Sequence, residues 1–494
     1  MDEEVGEADF ISNLVITPNP SGYAPLTAEV SFLTSRAVHV EVVVEGLEGG
    51  EDVVGRFDYQ HDQVTLPILG LYPSTHNRVI LRFISGSNTL IAQNELMIEA
   101  PDIISDLPRI DFEVLRQSAI KPGMNLVSYF GHNSEFTPQR PFMFDSQGVI
   151  RWYLDFREHP SLSSLFFDDG VERLANGNLL FGDGSTDRII EMDMLGRIVD
   201  TWSMPGFGFH HLVIEKPGGN FIATVNKQGS STVEDHIIEI GRTSHTIVRE
   251  WDLRQSLQYG RRAWPANFGD QDVDWFHANG VVYDPSDDTI IVSGRTQGTI
   301  KLSMDNEVVW IVAPHRGWST SGNGVDLNSK LLQPLGADGE AILDEDVLDG
   351  RSNHPDFEWA WYQHAPELMP DGSLLLFDNG DNRNYSSSER YSRAVQFRID
   401  ESAGTIEQVW QYGKDRGEET FSRIVSDVDY HADKDNIVFM PGAIVSGAAP
   451  NGKMIEIDYS TGEVLFEATI TPPIAAFDLI TFHRVERLEI YPPR

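Results

Sequence analysis

Three histidines share a position relative to a turn, although they lie far apart in the chain. His211 lies six residues before Pro217, and His364 lies six residues before Pro370. His277 begins the corresponding strand ahead of a third turn of this kind. A single histidine of this kind is usually a satisfied buried polar group, but three in matching positions favour a shared site. Neutral imidazoles there can act as nucleophiles or move protons.

Polar side chains follow His277 closely. Arg295 lies one predicted strand further on, and its planar guanidinium matches the oxygens of a tetrahedral anion. Asn279 comes two residues after His277. It is therefore expected on the same strand face, where it would donate a further hydrogen bond to such an anion.

Two further pairs of residues accompany the other histidines. Trp361 and Tyr362 directly precede the His364 region. Clustered aromatic residues are more often part of a packed core, but here they also offer flat surfaces for an aromatic substrate. His210 and His211 are adjacent, and we favour His211 because only its offset matches that of His364. His210 is retained as a substrate-binding candidate.

Three imidazoles can also bind a metal ion with one open coordination position. The chain has no HExxH or comparable ligand spacing, and Arg295 would repel a divalent cation. We therefore predict no metal and no cofactor. A metal-dependent hydrolase stays as one alternative, and a non-catalytic protein that captures anionic aromatic ligands is the other.

The elements that must position these residues are short strands in a repeated unit. From about residue 115, a tight turn followed by an apolar strand occurs six times, beginning at residues 121, 175, 216, 284, 369 and 432. A hairpin with an aromatic residue near its end alternates with it, also six times. A four-stranded unit that repeats like this is typical of a β-propeller. We predict an all-β, six-bladed β-propeller, in which the first strand of each blade lines the channel and brings the imidazoles together.

The chain is expected to form two domains. Alternating apolar runs separated by turn residues fill residues 10 to about 100, which predicts a small β-sandwich. A linker at about 101–108 gives an N-terminal β-sandwich domain at 1–108 and a β-propeller catalytic domain at 109–494. Polar insertions at about 254–274 and 315–360 interrupt the repeat and are expected to build the functional rim.

The composition limits the partners. The 494 residues include 76 acidic and 37 basic ones, a formal charge of −39, which repels the phosphates of nucleic acid. An anionic substrate would need a locally positive pocket. The absence of cysteine excludes disulfides, zinc–thiolate sites and cysteine nucleophiles. No run of 18 apolar residues occurs, so no membrane span is predicted.

Six motifs occur in a telling order: Asp274-Trp-Phe-His-Ala-Asn279, Ser293-Gly-Arg-Thr-Gln-Gly298, Pro314-His-Arg-Gly-Trp318, Phe357-Glu-Trp-Ala-Trp-Tyr-Gln-His364, Phe377-Asp-Asn-Gly-Asp-Asn-Arg383, and Tyr391-Ser-Arg393 through Val409-Trp-Gln-Tyr-Gly-Lys414. With these motifs the chain resembles the bacterial aryl-sulfate sulfotransferases that do not use the adenylyl sulfate donor PAPS. The resemblance covers most of residues 120–470, and the N-terminal sandwich agrees with the family's domain plan. Each motif alone is weak, but their joint order is specific.

The resemblance implies ping-pong transfer of a sulfuryl group from an aryl sulfate to a phenol through a sulfohistidine. His364 matches the histidine that is transiently sulfurylated. The residues that would surround the sulfuryl group are His277, Arg295, Asn279, His210 and His211. A second histidine would protonate the leaving phenolate and later deprotonate the incoming phenol, and His277 is our candidate. The chain departs from the family in lacking a disulfide and in the Ala-Pro-Glu that follows His364.

The same resemblance implies the setting of the protein. The expected partners are small-molecule aryl sulfates and phenols, together with a second copy of the chain in a homodimer. The family is typically exported, so we expect a periplasmic or secreted protein. The sequence starts with acidic residues and shows no apolar leader, and the expectation is that a signal peptide has been removed.

Overall fold

The structure of the chain, a computed structural model, describes residues 6–47, 49–132, 139–166, 170–262, 272–386, 388–445, 450–473 and 479–492. Part of the predicted insertion at 254–274 lies outside these residues. Almost all of the regular structure is β. None of the helices in the described ranges is long and apolar enough to cross a membrane.

The N-terminal region holds five antiparallel strands: β1 (Ile11–Pro18), β2 (Thr27–Val44), β3 (Val53–Leu69), β4 (His76–Ile84) and β5 (Leu90–Glu99). All five belong to one hydrogen-bonded network, because the long strand β2 pairs with β3 along its length, with β1 at its start and with β4 at its end. The β2–β3 register shifts between Thr34 and Val38, and β4 pairs with β5. Phe32 packs edge-on against Phe83 at 5.8 Å. The five strands thus form one connected sheet, and its buried apolar residues belong to a core that also includes residues of the adjoining propeller strands.

The next strands along the chain are β6 (Arg109–Val114), β7 (Met124–His132), β8 (Phe142–Phe144), β9 (Ile150–Tyr153), β10 (Glu172–Arg173), β11 (Leu179–Asp183), β12 (Arg188–Met192), β13 (Ile198–Ser203), β14 (Phe207–Glu215), β15 (Phe221–Lys227), β16 (His236–Gly241) and β17 (Thr246–Asp252). They are followed by β18 (Ala278–Asp284), β19 (Thr289–Gly294), β20 (Gly298–Ser303), β21 (Val308–Val312), β22 (Gln333–Pro334), β23 (His364–Leu368), β24 (Leu374–Asp378), β25 (Arg393–Asp400) and β26 (Thr405–Tyr412). The last are β27 (Asp427–His431), β28 (Asn436–Met440), β29 (Ile444–Val445), β30 (Pro450–Asp458), β31 (Val464–Thr471) and β32 (Leu479–Leu488). The helical segments are short: α1 (Leu253–Ser256), α2 (Glu345–Leu348), and 3-10 turns at Leu327–Lys330, Arg383–Tyr385 and Lys414–Thr420.

These strands form six further sheets among the described residues. Strands β10–β13, β14–β17 and β18–β21 make three four-stranded meanders. A fourth runs from β23 to β26 and gains β22, and a fifth contains β27, β28, β30 and β31, with β6 on its outer edge and β29 beside β30. In the sixth, the C-terminal strand β32 pairs with β7, followed by β8 and β9. The two ends of the propeller chain therefore meet in one sheet.

The inner strands of the six sheets line one channel. A cavity of about 340 Å³ is bordered by residues of β10, β14, β18, β23, β27 and β32. This is the arrangement of a β-propeller, in which each sheet is a blade. The predicted all-β propeller is confirmed, and the count of six blades is a prediction that these six sheets support.

Tryptophans explain why the hairpin signature recurs. In five sheets the outer strand ends in a buried or half-buried indole that donates a hydrogen bond to the following sheet. The bonds run from Trp152 to the Met194 carbonyl (2.8 Å), Trp202 to the Arg242 carbonyl (2.8 Å), Trp251 to the Ser303 carbonyl (2.9 Å), Trp310 to the Glu401 carboxylate (2.8 Å) and Trp410 to the Tyr459 carbonyl (3.0 Å). A repeated aromatic at this position therefore ties successive sheets together.

Candidate functional site

Four inner strands carry an irregularity at the level of the histidines. The pairing register shifts at residues 209–213 in β14, 278–280 in β18, 364–367 in β23 and 482–484 in β32. His211 and His277 have positive φ values of 55° and 57°, a conformation that non-glycine residues rarely adopt. Bulges re-aim side chains, and backbone strain of this kind clusters at functional sites.

The irregular backbone brings His210, His211 and His277 together. The Nε2 atoms of His211 and His277 are 3.4 Å apart, and the His210 and His211 rings are 4.0 Å apart, edge to face. All of this occurs although His211 and His277 are 66 residues apart in the chain. The convergence follows from their places on neighbouring inner strands.

Two carboxylates contact the imidazole of His277. Its Nδ1 lies 2.7 Å from both Glu234 Oε2 and Asp274 Oδ2, and Glu234 Oε1 lies 2.8 Å from His210 Nε2. Burial lowers the pKa of His277, but the hydrogen bonds and charges of the two acids outweigh it and raise the pKa to about 9. His277 is therefore an imidazolium at neutral pH, and its Nε2–H faces His211.

His364 has the opposite protonation preference. Its Nδ1–H donates to Asn379 Oδ1 at 2.7 Å and to the Tyr362 carbonyl at 3.0 Å. The Asn379 amide cannot be reversed without loss, because its Nδ2 donates to the Ser422 and Val425 carbonyls, both at 2.9 Å. The proton is thus held on Nδ1, and Nε2 of His364 carries the lone pair.

The pKa values of His364 and His211 are low. Burial, and after it the positive charge of Arg295, hold the pKa of His364 well below the ordinary value. Burial, followed by the charges of His210 and His277, does the same for His211. One protonated imidazole therefore stands beside two neutral ones, and such a separation of pKa values by environment is typical of acid–base sites.

Arg295 provides the cationic group. Its backbone N–H donates to the His277 carbonyl at 3.0 Å, and its guanidinium lies 5.6 Å from the Tyr362 ring. The residue is 3% exposed. Burial lowers the pKa of Arg295 to about 10, so the guanidinium remains charged at neutral pH and close enough to His364 to lower its pKa.

Asn279, which the sequence predicts on the strand face of His277, lies where the pairing register of β18 shifts. The register shift between Ala278 and Gly280 interrupts the alternation on which that expectation depended. The Asn279 side chain is buried, and its Nδ2 donates to the Gln363 carbonyl at 2.8 Å. In the structure this donor therefore supports the backbone next to His364.

Trp361 and Tyr362 lie beside Arg295 at a cavity of about 280 Å³. Trp361 packs edge-on against Tyr385, with ring centres 5.1 Å apart. Burial raises the pKa of Tyr362 to about 12, so its hydroxyl is neutral. The two aromatic side chains form walls of a cavity that also contains the guanidinium.

Sequence reasoning did not assign roles to several residues of this cluster. Glu234 is 43 residues from His277, and Asp274 and Asn379 occur inside quoted motifs without a role. His483, on the C-terminal strand, accompanies the cluster: it contacts Thr481 Oγ1 through Nε2 at 2.8 Å and contributes to the low pKa values of His211 and His364.

The cluster also has the spacing of a metal site. His210, His211 and Glu234 offer ligand atoms within 4.8 Å of one another, and so do Glu234, Asp274 and His277. Both groups use Glu234, and the second uses a His277 nitrogen that carries a proton at neutral pH. Protonation opposes metal binding at that atom, because a ligand must offer its lone pair.

The described side chains can together perform group transfer to and from an anion. His364 offers a neutral nucleophile, His277 offers a proton, and Arg295 offers a positive charge beside an aromatic cavity. A lone pair, an acidic proton and a positive charge are thus available in one buried region, and transfer of an anionic group needs these three.

Comparison with known proteins gives two family matches. The family described as "Arylsulfotransferase (ASST)" matches residues 113–476, and the "Arylsulfotransferase Ig-like domain" matches residues 15–101. The arylsulfate sulfotransferase AssT of Escherichia coli O6:H1 (strain CFT073) is 29% identical over 551 aligned positions, which cover 92% of this chain and 89% of that protein. AssT of Lelliottia amnigena is 28% identical over 553 positions, covering 92% and 90%.

A solved streptogramin B lyase is also similar, with a TM-score of 0.32 and 10% identity over 74% of this chain and 98% of that one. The match to the family described as "Arylsulfotransferase (ASST)" spans most of the propeller region and more than half of the sequence. The chain belongs to the arylsulfotransferase family.

Proposed function

We propose that this protein transfers a sulfuryl group from an aryl sulfate to a phenol in two steps, with His364 as the covalent carrier. The observation that carries the proposal is the state of His364. Its Nδ1–H is bound by Asn379, its pKa is low, and Nε2 is therefore an unprotonated nucleophile next to Arg295. The family membership supports aryl sulfate chemistry.

In the first step, Nε2 of His364 attacks the sulfur of the donor. An N–S bond forms, the S–O bond to the aryl group breaks, and the leaving phenolate takes the proton from Nε2 of His277. The pKa of His277, about 9, is close to that of a phenol, about 10. Proton transfer between groups of similar pKa is efficient, so His277 fits the role of general acid.

In the second step the acceptor phenol occupies the same place. The now neutral His277 takes the proton of the phenol hydroxyl. The phenol oxygen attacks sulfur, and the N–S bond to His364 breaks. Both residues return to their starting states. Arg295 stabilises the charge on the sulfuryl oxygens in both steps, and loss of one such donor costs about 10²–10³ in rate in other enzymes.

The decisive experiment uses 4-nitrophenyl sulfate with and without added phenol. Without acceptor we expect a burst of about one 4-nitrophenol per active site and one SO₃ on the peptide that contains His364, whereas phenol should give sustained turnover. His364→Ala should lose the burst and the modification. The control is His61→Ala, which removes an exposed histidine of the N-terminal sheet. A full burst in His364→Ala would refute the assignment.

The same experiment separates the two alternatives. A non-catalytic binding protein would retain the aryl sulfate without releasing 4-nitrophenol. The metal-dependent hydrolase has one observation in its favour, the spacing of His210, His211 and Glu234. It requires activity that a chelator removes and that needs no phenol. Burst release that persists after chelation supports the covalent transfer.

The setting of the protein is also a proposal. Kinship favours export to the periplasm and a homodimer, which cell fractionation and sedimentation of the purified chain would test. We also propose the domain boundary between residues 108 and 109. Its support is that β6 begins at Arg109 and pairs with β31, a propeller strand.

A further inference from the structure

The cavity beside Arg295 differs in charge from the rest of the molecule. The protein has twice as many acidic as basic residues, 76 against 37. The described residues that line this cavity include four arginines, Arg261, Arg262, Arg295 and Arg316, and no acidic side chain. Sulfuryl binding needs one such cation, and Arg295 provides it. The other three need a different explanation.

Among the residues that the structure describes, no carboxylate pairs with the buried guanidinium of Arg261. Its Nη1 donates to Gln297 Oε1 at 2.8 Å, its Nε to the Arg316 carbonyl at 3.1 Å, and its Nη2 to the Pro314 carbonyl at 3.3 Å. Burial lowers the pKa of Arg261 to about 10, so the group is charged at neutral pH. A buried charge that faces only neutral acceptors is unfavourable unless an anion comes near. These bonds also fix the backbone that carries Arg316.

Arg316 is exposed and lines the same cavity. Its guanidinium lies 4.9 Å from the centre of the Tyr385 ring, and it makes no ion pair within 4.0 Å to any described residue. Tyr385 is itself held, because its hydroxyl donates to the Asp349 carbonyl at 2.7 Å and Trp361 packs on its ring. Arg262, by contrast, is paired with Asp272.

The cavity thus combines cations with aromatic side chains, and two of its arginines differ in exposure. Arg295 is buried and close enough to His364 to lower its pKa, whereas Arg316 is exposed. Trp361 and Tyr385 line the same cavity. An aromatic ring whose sulfuryl or hydroxyl oxygen points to Arg295 would direct a substituent on its far side toward Arg316.

We propose that Arg316 forms a second anion subsite, and that the substrates of this enzyme are phenols and aryl sulfates with a further anionic group, such as a carboxylate, across the ring. This proposal depends on the proposed function for its reaction, but the subsite itself is a binding property. Guanidinium and carboxylate match in a two-point hydrogen-bonded geometry. Arg261 is a positioning residue that holds Arg316 through its carbonyl.

The kinetic test compares two acceptors of the same shape with 4-nitrophenyl sulfate as donor. We expect 3-(4-hydroxyphenyl)propionate to have a kcat/KM about tenfold above that of its neutral methyl ester, as a charged hydrogen bond at a partly exposed site allows. Arg316→Gln should bring this ratio close to one. The control Arg398→Gln removes one exposed guanidinium elsewhere and should keep the ratio.

Equal kcat/KM values for the acid and the ester in the wild-type enzyme would overturn the subsite and leave the proposed function intact. A binding titration tests the subsite without turnover. 4-Sulfobenzoate should bind about tenfold more tightly than benzenesulfonate, and Arg316→Gln should remove the difference. If neither acceptor is sulfurylated, the proposed function fails while this titration still decides the subsite, since equal binding of the two sulfonates would refute it.

Discussion

The two carboxylates on Nδ1 set the protonation of His277. Burial alone would lower its pKa, yet Asp274 and Glu234 raise it to about 9. The acid form is therefore present below pH 9 and is lost as the pH rises through that value. Activity that depends on a protonated His277 should fall along the same alkaline limb.

Glu234→Gln should move this limb to lower pH. Removing one charge within hydrogen-bond distance lowers a histidine pKa by about one unit or more, so kcat/KM at pH 8 should fall more than at pH 6. The measurement is the pH profile of kcat/KM with phenyl sulfate, a donor whose leaving group needs a proton. Glu340→Gln removes a negative charge from an exposed residue outside the site. This control variant should keep the wild-type profile. An unmoved limb in Glu234→Gln would show that His277 is not the acid.

Asn379 sets the tautomer of His364, and replacing Asn379 by a negatively charged residue should change the pKa of His364. In Asn379→Asp, a carboxylate facing Nδ1 stabilises the imidazolium and raises the pKa of His364. Nε2 is then protonated up to a higher pH, so the acidic limb of kcat/KM should shift upward by about one unit or more. Asn328→Asp, on an exposed 3-10 turn, is the matched control. An unchanged acidic limb would contradict the nucleophile assignment.

The residues found from sequence are those whose position repeats along the chain. His211 and His364 share an offset from their turns because both lie on inner strands. His483 also lies on an inner strand, β32. The next strand of its sheet is β7, which comes from the start of the propeller sequence. The turn that corresponds to those after His211 and His364 therefore begins at residue 121, far from His483 in the sequence. Glu234 was missed because its contact with His277 joins neighbouring sheets, and no spacing along the chain reports it.

At the scale of the strand, β18 and β23 approach each other closely near His277 and His364. A Cβ on Gly280 would lie 2.5 Å from Cδ of Pro366, which is a rigid ring next to His364. Only glycine fits there without displacing one strand. The regular hairpins were predictable from their turns and tryptophans, but the bulges that carry the site were not, because they depend on such contacts between sheets.

Gly280→Ala should therefore affect both stability and catalysis. Overpacking of this kind costs about 1–3 kcal/mol of the free energy of unfolding, and the strands that carry His277 and His364 should separate. We expect a lower urea midpoint together with a lower kcat. Gly6→Ala, where an added Cβ meets no atom within 4 Å, should change neither. A fully active and fully stable Gly280→Ala would show that the inner strands have room to adjust.

At the scale of the molecule, charge separates the surface from the site. The net charge of −39 opposes anionic substrates at a distance, while the arginine-lined cavity attracts them at contact. The sequence indicated that such a substrate needs a locally positive pocket. It did not reveal which arginines would gather, because Arg261 and Arg316 lie in separate insertions that meet only in the folded ring.

A buried ion pair lies where the ring closes. Arg487 on β32 bonds the Glu456 carboxylate on β30 and donates to Asn125 Oδ1 on β7 at 2.7 Å, so it joins the last sheet to its neighbour. Both charged residues are at most 1% exposed. Arg487→Met would remove the arginine partner of the buried Glu456 carboxylate and leave it with His431 at 3.9 Å and with neutral hydrogen-bond donors. Breaking a buried pair in this way costs about 3–5 kcal/mol of the free energy of unfolding.

We expect Arg487→Met to lower the urea midpoint strongly, and the double variant Arg487→Met/Glu456→Gln to recover part of the loss, because the buried carboxylate that lost its arginine partner is then removed as well. Lowering the pH should reduce the difference in the free energy of unfolding between the wild-type protein and Arg487→Met. Burial opposes ionisation of Glu456, but His431 and Arg487 hold its pKa below the ordinary value. The stability from this pair is therefore present above the unfolded pKa and is lost as the pH falls through the lower, folded one. A double variant no more stable than Arg487→Met would show that the ring is closed by the strand pairing of β32 with β7 and not by this ion pair.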